Sequence, residues 1–524
     1  MSAARVRRSW ERSCMARMAS DLASPAPPGA LAPVSPEKGP PLGPRRGSGV
    51  ASSERSYCNG LMTTSVFVIS DLHFGGAEGF RMCSSDAVKR LSALVDWIAQ
   101  QRTPGRDVHL VLNGDTVDFL AEKDADGKWS AFTASEDDAV RKLEQILGAT
   151  REFWVALARF VASKGALTLA LGNHDIELSL PRVRARLLSE VAPEGGRIAF
   201  LHDNEAFRLG KLLVEHGNRY DGWNVVDHDA LRRVRSALSR AQPPQAFPAQ
   251  PGSEMVARVM NPIKATYAFV DLLKPETSAV APILAVLNPG LWKMTARFVR
   301  DAAAAANRSV HLRAAGPAAD SGYVAAQVAA APGPALPPSE DEGMRLADEL
   351  STEAAAASDG NIGFMRDVKI ELLLRAFRNW REKDRISFAI DDESTQYLDA
   401  ANALASRGFE VVVFGHTHLA KRIALPNGAT YLNSGTWADV MRIPDIVYEG
   451  DAAAGQRALR TWLDELEHNR IDRYRRMVPT FVRVDLEPDG RIAANDVLFF
   501  DGPANVEPIT TAGVIERLGV KNFS

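Results

Sequence analysis

Five short motifs, each rich in Asp, Asn or His and each closing an apolar stretch, constrain this chain more than any other feature. They are Asp71-Leu72-His73 after SVFVIS, Gly114-Asp115-Thr116-Val117-Asp118 after HLVLN, Gly172-Asn173-His174-Asp175 after LTLAL, His216-Gly217 after LLVE, and Gly415-His416-Thr417-His418 after VVVF. Ligands of open α/β sheets gather at the carboxyl ends of strands, where a glycine permits a tight exit and the next side chain faces a crevice. Strand alternation puts residues two apart on one face, which predicts a shared direction for Asp71 and His73 and for His416 and His418. Taken one at a time the motifs have plain alternatives: Asp115 capping a helix, His73 solvated, His216 structural. Together they hold five of the ten histidines, and carboxylate, amide and imidazole make a donor set suited to metal ions. His109, His202, His228, His311 and His468 are expected to be structural or solvated.

The stretches between the motifs alternate in period. SVFVISD and DVHLVLNGD read as strands. Asp86 to Gln101 reads as a helix with Leu91, Leu94, Val95 and Ile98 on one stripe, and Glu136 to Lys164 as helical segments. ALTLALGNHD, RIAFLHD and KLLVEHGN follow as further strands, the pattern of α/β crossover units. From about residue 227 to 408 the pattern turns helical, with an Ala/Pro-rich linker near 314–342. Strands resume with FEVVVFGHTH and RIALPNGATYLNSG, and TFVRVDLEPDGRIAANDVLFF reads as a hairpin turning at PDG. The expected organisation is a tail over 1–61, a core over 62–226, a helical insertion or lid over 227–408, the second half of the core over 409–505, and a C-terminal tail over 506–524.

Residues 1–61 are rich in Ala, Pro, Gly, Ser and Arg and are expected to be disordered, since so little apolar mass does not offset the entropy of ordering. Met62 stands immediately before the first strand as a candidate initiation site. The formal charge of −3 over 524 residues provides no global basic field, so no nucleic-acid partner is expected. Three cysteines, none at ligand spacing, exclude a disulfide framework and fit a reducing, cytoplasmic compartment. The longest uncharged apolar run, Thr277 to Trp292, carries two prolines and is too short to span a membrane. Basic and aromatic residues mingle in the insertion, at Trp292, Lys293, Arg297, Phe298 and Arg300 and again at Arg375, Phe377, Arg378, Trp380 and Arg381, which leaves peripheral contact with a membrane or a lipid-linked ligand open.

In their order, DLH, GDTVD, GNHD, EHG and GHTH resemble the successive signatures of the calcineurin-like metallophosphoesterase superfamily, over about Ser65 to Asp501. The resemblance implies an α/β fold in which two mixed sheets form a sandwich flanked by helices, here with a large helical insertion. It implies a dinuclear centre of two divalent ions, Mn, Fe or Zn, that hydrolyses a phosphoester or pyrophosphate by in-line attack of a metal-bridging hydroxide. Carried over by position, Asp71, His73 and His418 hold one metal, Asn173, His216 and His416 the other, and Asp115 bridges them. His174 then stabilises the transition state or protonates the leaving oxygen, Asp175 orients its ring, and Asp118 supports a ligand from behind. TYLNSGTW resembles the strand after the last motif, with Asn433 and Ser434 near the site. The motif order is also similar to that of the UDP-diacylglucosamine pyrophosphohydrolase branch, which carries Arg where this chain has His174 and Asp where it has Asn218. A lipid- or nucleotide-linked substrate follows as an expectation, with a nuclease or a non-catalytic scaffold on the same fold as alternatives.

Overall fold

In the computed structural model the described residues are 62–192, 194–274, 276–297, 338–356 and 362–519. All lie within one of the chain's two compact units, Asn59–Ser524. The expected tail over 1–61, His311, Phe298 and Arg300, and the linker up to residue 337 lie outside the described residues.

Two sheets carry the fold. The larger is built from β1 (Thr63–Ile69), β2 (Arg106–Asn113), β3 (Ala166–Ala170), β4 (Ile198–Leu201), β10 (Thr480–Leu486), β11 (Ile492–Gly502) and β12 (Asn505–Pro508), in the order β12-β11-β10-β1-β2-β3-β4. The smaller holds β5 (Phe207–Leu209), β6 (Leu212–Val214), β7 (Val411–Phe414), β8 (Lys421–Ala424) and β9 (Thr430–Asn433), in the order β5-β6-β7-β9-β8. Both are mixed: β1 to β4 run parallel while β1 pairs antiparallel with β10, and β6, β7 and β9 run parallel between antiparallel edges. Parallel pairing puts the carboxyl ends of β1, β2 and β3 on one edge and those of β6 and β7 on one edge of the other sheet. Those ends are where the five motifs begin.

Period-two alternation explains how the sheets stack. Val66 and Val68 of β1 join Val111, Leu212, Val214, Val411, Val413, Val482 and Val484 in one buried cluster, the layer between the sheets. The alternate residues Phe67 and Ile69 face the opposite way, into a cluster with helices Ser85–Gln100, Glu136–Ala149, Arg151–Ala162 and Pro181–Val191. On the smaller sheet Leu213, Val412, Phe414 and Tyr431 point outward onto helix Thr395–Ala405. Strands buried on both faces need continuous apolar runs, and VVVF and VFVI are such runs.

A fourth apolar cluster is built mainly from helices. It joins Val259–Ala296 and Met344–Phe377 to Ala438–Tyr474, so helix Ala452–Glu467, which the sequence assigned to the second half of the core, packs with the helical region instead. Trp462 and Leu463 of that helix are fully buried there. The C-terminal stretch also differs from the tail expected: β12 and helix Thr511–Leu518 close the molecule, with Ile509, Val514 and Leu518 buried against the inter-sheet layer. Strand β5, three residues long, carried too little pattern to be read. Of the basic and aromatic residues in the insertion, Trp292 and Phe377 are buried, Arg378 donates to the carbonyls of Val447 and Gly450, and Arg381 pairs with Glu449 at 2.8 Å. Among the described residues no helix is long and apolar enough to cross a membrane.

Candidate metal centre

Left-handed backbone shapes the motifs. β1 stops at Ile69, and both Asp71 and His73 have positive φ, 56° and 46°; Asp115 (49°), His416 (68°) and His418 (63°) share that region. Five of the nine non-glycine residues with positive φ among the described residues are therefore motif residues. Left-handed backbone costs an L-residue about 1–2 kcal/mol, and such strain collects where function over-determines geometry. This corrects the expectation from strand alternation: Asp71/His73 and His416/His418 converge because the chain kinks beyond the strands. The kinked loops brace one another, with the N–H of Asp71 donating to the Gly114 carbonyl at 3.1 Å and that of His73 to the Asp115 carbonyl at 3.0 Å.

The glycines of the motifs are required by close approach. A methyl group at Gly172 would collide with the Asp115 carboxylate, and one at Gly415 would sit 2.6 Å from Asp71 Oδ2. A methyl at Gly114 would meet His216 Nδ1 at 2.6 Å.

The structure brings the candidate ligands into three groups that could hold a metal ion: Asp71, His73 and His418; Asp115, His216 and His416; and His73, Asp115 and His174. Within each group one ligand atom per residue lies within 4.8 Å of the others. Asp71 Oδ1 is 3.4 Å from His418 Nε2 and 4.0 Å from both His73 Nε2 and His216 Nε2. Asp115 Oδ2 stands between the first two groups, 3.2 Å from His216 Nε2 and 3.9 Å from His73 Nε2.

Hydrogen bonds behind the ring decide which nitrogen of each histidine faces inward. His216 Nδ1 donates to the Asn113 carbonyl at 2.8 Å, which leaves Nε2 with its lone pair. His416 Nε2 donates to Asp221 Oδ2 at 3.0 Å, leaving Nδ1. His73 Nδ1 faces Asp118 Oδ2 at 3.4 Å, leaving Nε2. Inward, the buried Nε2 of His216 and Oδ1 of Asn173 have no hydrogen-bond partner, and His73 Nε2 and His418 Nε2 approach to 2.9 Å. Orphaned buried acceptors cost on the order of 1–3 kcal/mol each. Cations held among them would satisfy these lone pairs, so the donor set fits divalent metal.

Burial alone would push the Asp115 carboxyl up, but the imidazoles of His216 and His174 outweigh it and hold it well below the usual carboxylate range. Asp118 is likewise depressed against burial, by His174 first. His174 in turn resists the effect of burial: Asp118 and Asp115 raise it to about 10. Its side chain, 18 % exposed against 2 % for His73, stands nearest to solvent among the motif imidazoles.

One expected role moves to a neighbour. The ring of His174 bonds to Asp118, through Nδ1 at 3.1 Å, and not to Asp175. Asp175 is turned back into the fold, where its oxygens accept the N–H groups of Gly172 at 2.7 Å and Thr116 at 2.9 Å. It ties the second motif to the third, and burial raises it to about 7. Asp118 also accepts the Ala121 N–H, so one carboxylate holds His73, His174 and a backbone turn.

Residues 64–250 match the family model described as calcineurin-like phosphoesterase. The chain carries a calcineurin-like phosphoesterase domain. No curated protein matches the sequence. The matched stretch of the phosphoesterase domain ends before the fifth motif, and the fold supplies the connection: β7, which leads into Gly415-His416-Thr417-His418, pairs parallel with β6, which leads into His216. Asn433 then locks the last loop, donating to the Gly415 carbonyl at 2.7 Å and to Thr417 Oγ1 at 3.1 Å, while Ser434 Oγ meets Ser70 Oγ at 2.6 Å beside Asp71.

Two residues around the candidate centre belong to none of the five motifs. Asp221 holds His416, and Asn224 links Asp221 (2.7 Å) to the Asn173 amide (3.3 Å). Their distance behind His216 in the chain matches no motif; an acidic residue soon after a ligand histidine was the one available hint.

Proposed function

We propose that this chain is a dinuclear metal-dependent phosphoesterase that hydrolyses a phosphoester or pyrophosphate by in-line attack of water-derived oxygen on phosphorus. The observation that carries the reading is a pair of buried lone-pair atoms with no hydrogen-bond partner, Asn173 Oδ1 and His216 Nε2, the second of them 3.2 Å from Asp115 Oδ2. Asp71, His73 and His418 would hold one cation, Asn173, His216 and His416 the other, with Asp115 between them. Divalent cations bound there would supply a nucleophile from water at neutral pH and neutralise charge on the phosphoryl oxygens.

The protein's own groups do the rest. Asn113, Asp118 and Asp221 fix the rings of His216, His73 and His416, so that lone pairs stay directed inward. Asp118 keeps His174 protonated at Nδ1 and in a single orientation. Raised to about 10, the ring holds a second proton at Nε2, which would be the donor for the leaving oxygen, the general-acid half of the reaction. Asp175 serves by holding Gly172 and Thr116 in place, which keeps Asp115 and Asn173 at a fixed separation.

The test is hydrolysis of an aryl phosphate monoester and a diester by the full chain, with Mn added or a chelator present, in wild type and in His174→Ala. Turnover that needs metal and falls about 10²–10⁴-fold in the variant supports the reading. Two bound metals with no turnover on either ester would overturn it.

A further inference from the structure

The helical region begins against the candidate metal centre. Helix Pro251–Met255 runs without a break through a π-helical turn, Val256–Met260, into helix Asn261–Lys264. At its start the Gly252 N–H donates to the Trp223 carbonyl at 2.9 Å, and Gly252 and Ser253 are buried. Near its far end the buried Asn261 donates from Nδ2 to the Leu120 carbonyl at 2.6 Å. Leu120 lies in the short turn Phe119–Ala121 that the Asp118 side chain caps. The stretch is therefore pinned at both ends to segments that follow ligand motifs, and π-helical turns are frequent at functional sites.

At Gly252 the helix leaves no space. A methyl group there would stand 2.2 Å from Asn224 Oδ1 and 3.1 Å from the Trp223 carbonyl oxygen. The Asn224 amide is engaged at both atoms: Nδ2 donates to Asp221 Oδ2 at 2.7 Å, and Oδ1 accepts from Asn173 Nδ2 at 3.3 Å. His416 Nε2 donates to the same Asp221 oxygen at 3.0 Å. One amide thus turns Asn173 so that its Nδ2 is occupied and its Oδ1 keeps a free lone pair, and steadies the carboxylate that holds His416. The Asp71–His73–His418 group is braced elsewhere, by Thr436 Oγ1 on the Asp71 carbonyl at 2.7 Å and by Asp118 on His73 at 3.4 Å.

We propose that Gly252 and Asn224 form a joint through which the helical region keeps Asn173 and His416 in ligand geometry. The ion held by Asn173, His216 and His416 then depends on the packing of this helix, and the ion held by Asp71, His73 and His418 does not. The proposal rests on the dinuclear reading of the centre. Asn224 is a positioning residue, and Gly252 is the space that it needs. Because the helix is tied down at Trp223 and at Leu120, bulk added at position 252 is relieved at the Asn224 amide.

The experiment titrates the metal-stripped full chain with Mn by calorimetry, as wild type, Gly252→Ala, Asn224→Ala and the double variant, and records the melting temperature of each metal-free protein. Gly252→Ala is expected to weaken one of two ions by about 10–100-fold, the usual cost of losing a contact behind a ligand, with the affinity of the other ion held. Asn224→Ala, which adds no bulk, should weaken the same ion to a similar degree. In that background Gly252→Ala should cost nothing further, the non-additivity of two residues that act through one contact. Affinity for both ions unchanged in either single variant overturns the proposal. So does an equal loss at both ions with a falling melting temperature, or a full second loss in the double variant. A wild type that takes up fewer than two ions overturns it together with the dinuclear reading. Two ions bound without hydrolysis of an aryl phosphate would count against the phosphoesterase reading and leave the joint standing.

Discussion

The strand-end loops and the helical cluster spend stability in opposite ways. The loops bury Asp71, His73, Asp115, Asp118, Asn173, Asp175, Glu177 and His216 and hold five side-chain-bearing residues in left-handed backbone. The helical cluster buries Tyr267, Leu273, Ile283, Trp292, Phe377, Trp462 and Tyr474, an apolar set that gains free energy with area removed from water. A residue that is expensive where it stands, and stands there anyway, is held by its surroundings for a purpose. On the proposed function the contrast separates the part of the chain that would perform chemistry from the part that supports it, and substitutions in each should behave accordingly.

The largest effect should come from Asp115→Asn. It removes the carboxylate shared by two ligand groups, and turnover of an aryl phosphate should fall by at least about a thousandfold, the several kcal/mol a cation contributes. A substantial fall in melting temperature together with retained turnover would erase the contrast between the regions.

Next in size is Glu177→Gln. Glu177 is fully buried behind the third motif, and burial lifts its carboxyl to about 7 from 4.5, against the Thr133 N–H that it accepts. A folded-state pKa raised above the unfolded value favours folding at low pH, and this contribution is lost as pH climbs through about 7. Glutamine keeps the acceptor and removes the titration. Denaturant unfolding of wild type and variant at pH 5 and pH 8 should show the variant gaining about 3 kcal/mol at the higher pH relative to the lower. Parallel pH profiles would show that the loop does not carry that strain.

Asp118→Ala removes the partner of both His73 and His174, and turnover should fall about 10–100-fold with a loss of metal affinity of similar size. Equal turnover with a normal metal titration would return His174 to the role of bystander. The smallest effect belongs to the other region: Gly290→Ala, in a helix where the nearest atom to a new methyl is Asn288 Oδ1 at 3.7 Å, should stabilise by about 0.5–1 kcal/mol without altering turnover. The same change at Gly172 should abolish activity, so the pair sharpens the comparison with one chemical substitution.

Much of the architecture was legible because its signals are local. VVVF, VFVI and LTLA announce buried strands, and the residues after them cluster at one edge whatever the exact turn. Partnership was less legible. Helical periodicity shows that Ala452–Glu467 has an apolar face but not that the face meets Trp292 and Phe377, since period carries no address. Asp118 and Asp175 are the same residue type, each at the close of a motif, and only the directions of their side chains distinguish the carboxylate that holds His174 from the one that staples two loops. Asp221 and Asn224 act through residues brought close by folding, which no spacing records. β12 and helix Thr511–Leu518 are short, and a few alternating residues near a terminus read equally well as tail.

The contact between His73 and His418 joins residues 345 positions apart. A ribosome emitting about 5–20 residues each second therefore exposes the first, second, third and fourth motifs well before the fifth exists. During that interval β6 has no β7 beside it, and the growing polypeptide presents an unfinished edge together with half a set of donors. The full set of candidate ligands therefore assembles only once His418 has been made, and a product cut short before the fifth motif lacks both His416 and His418.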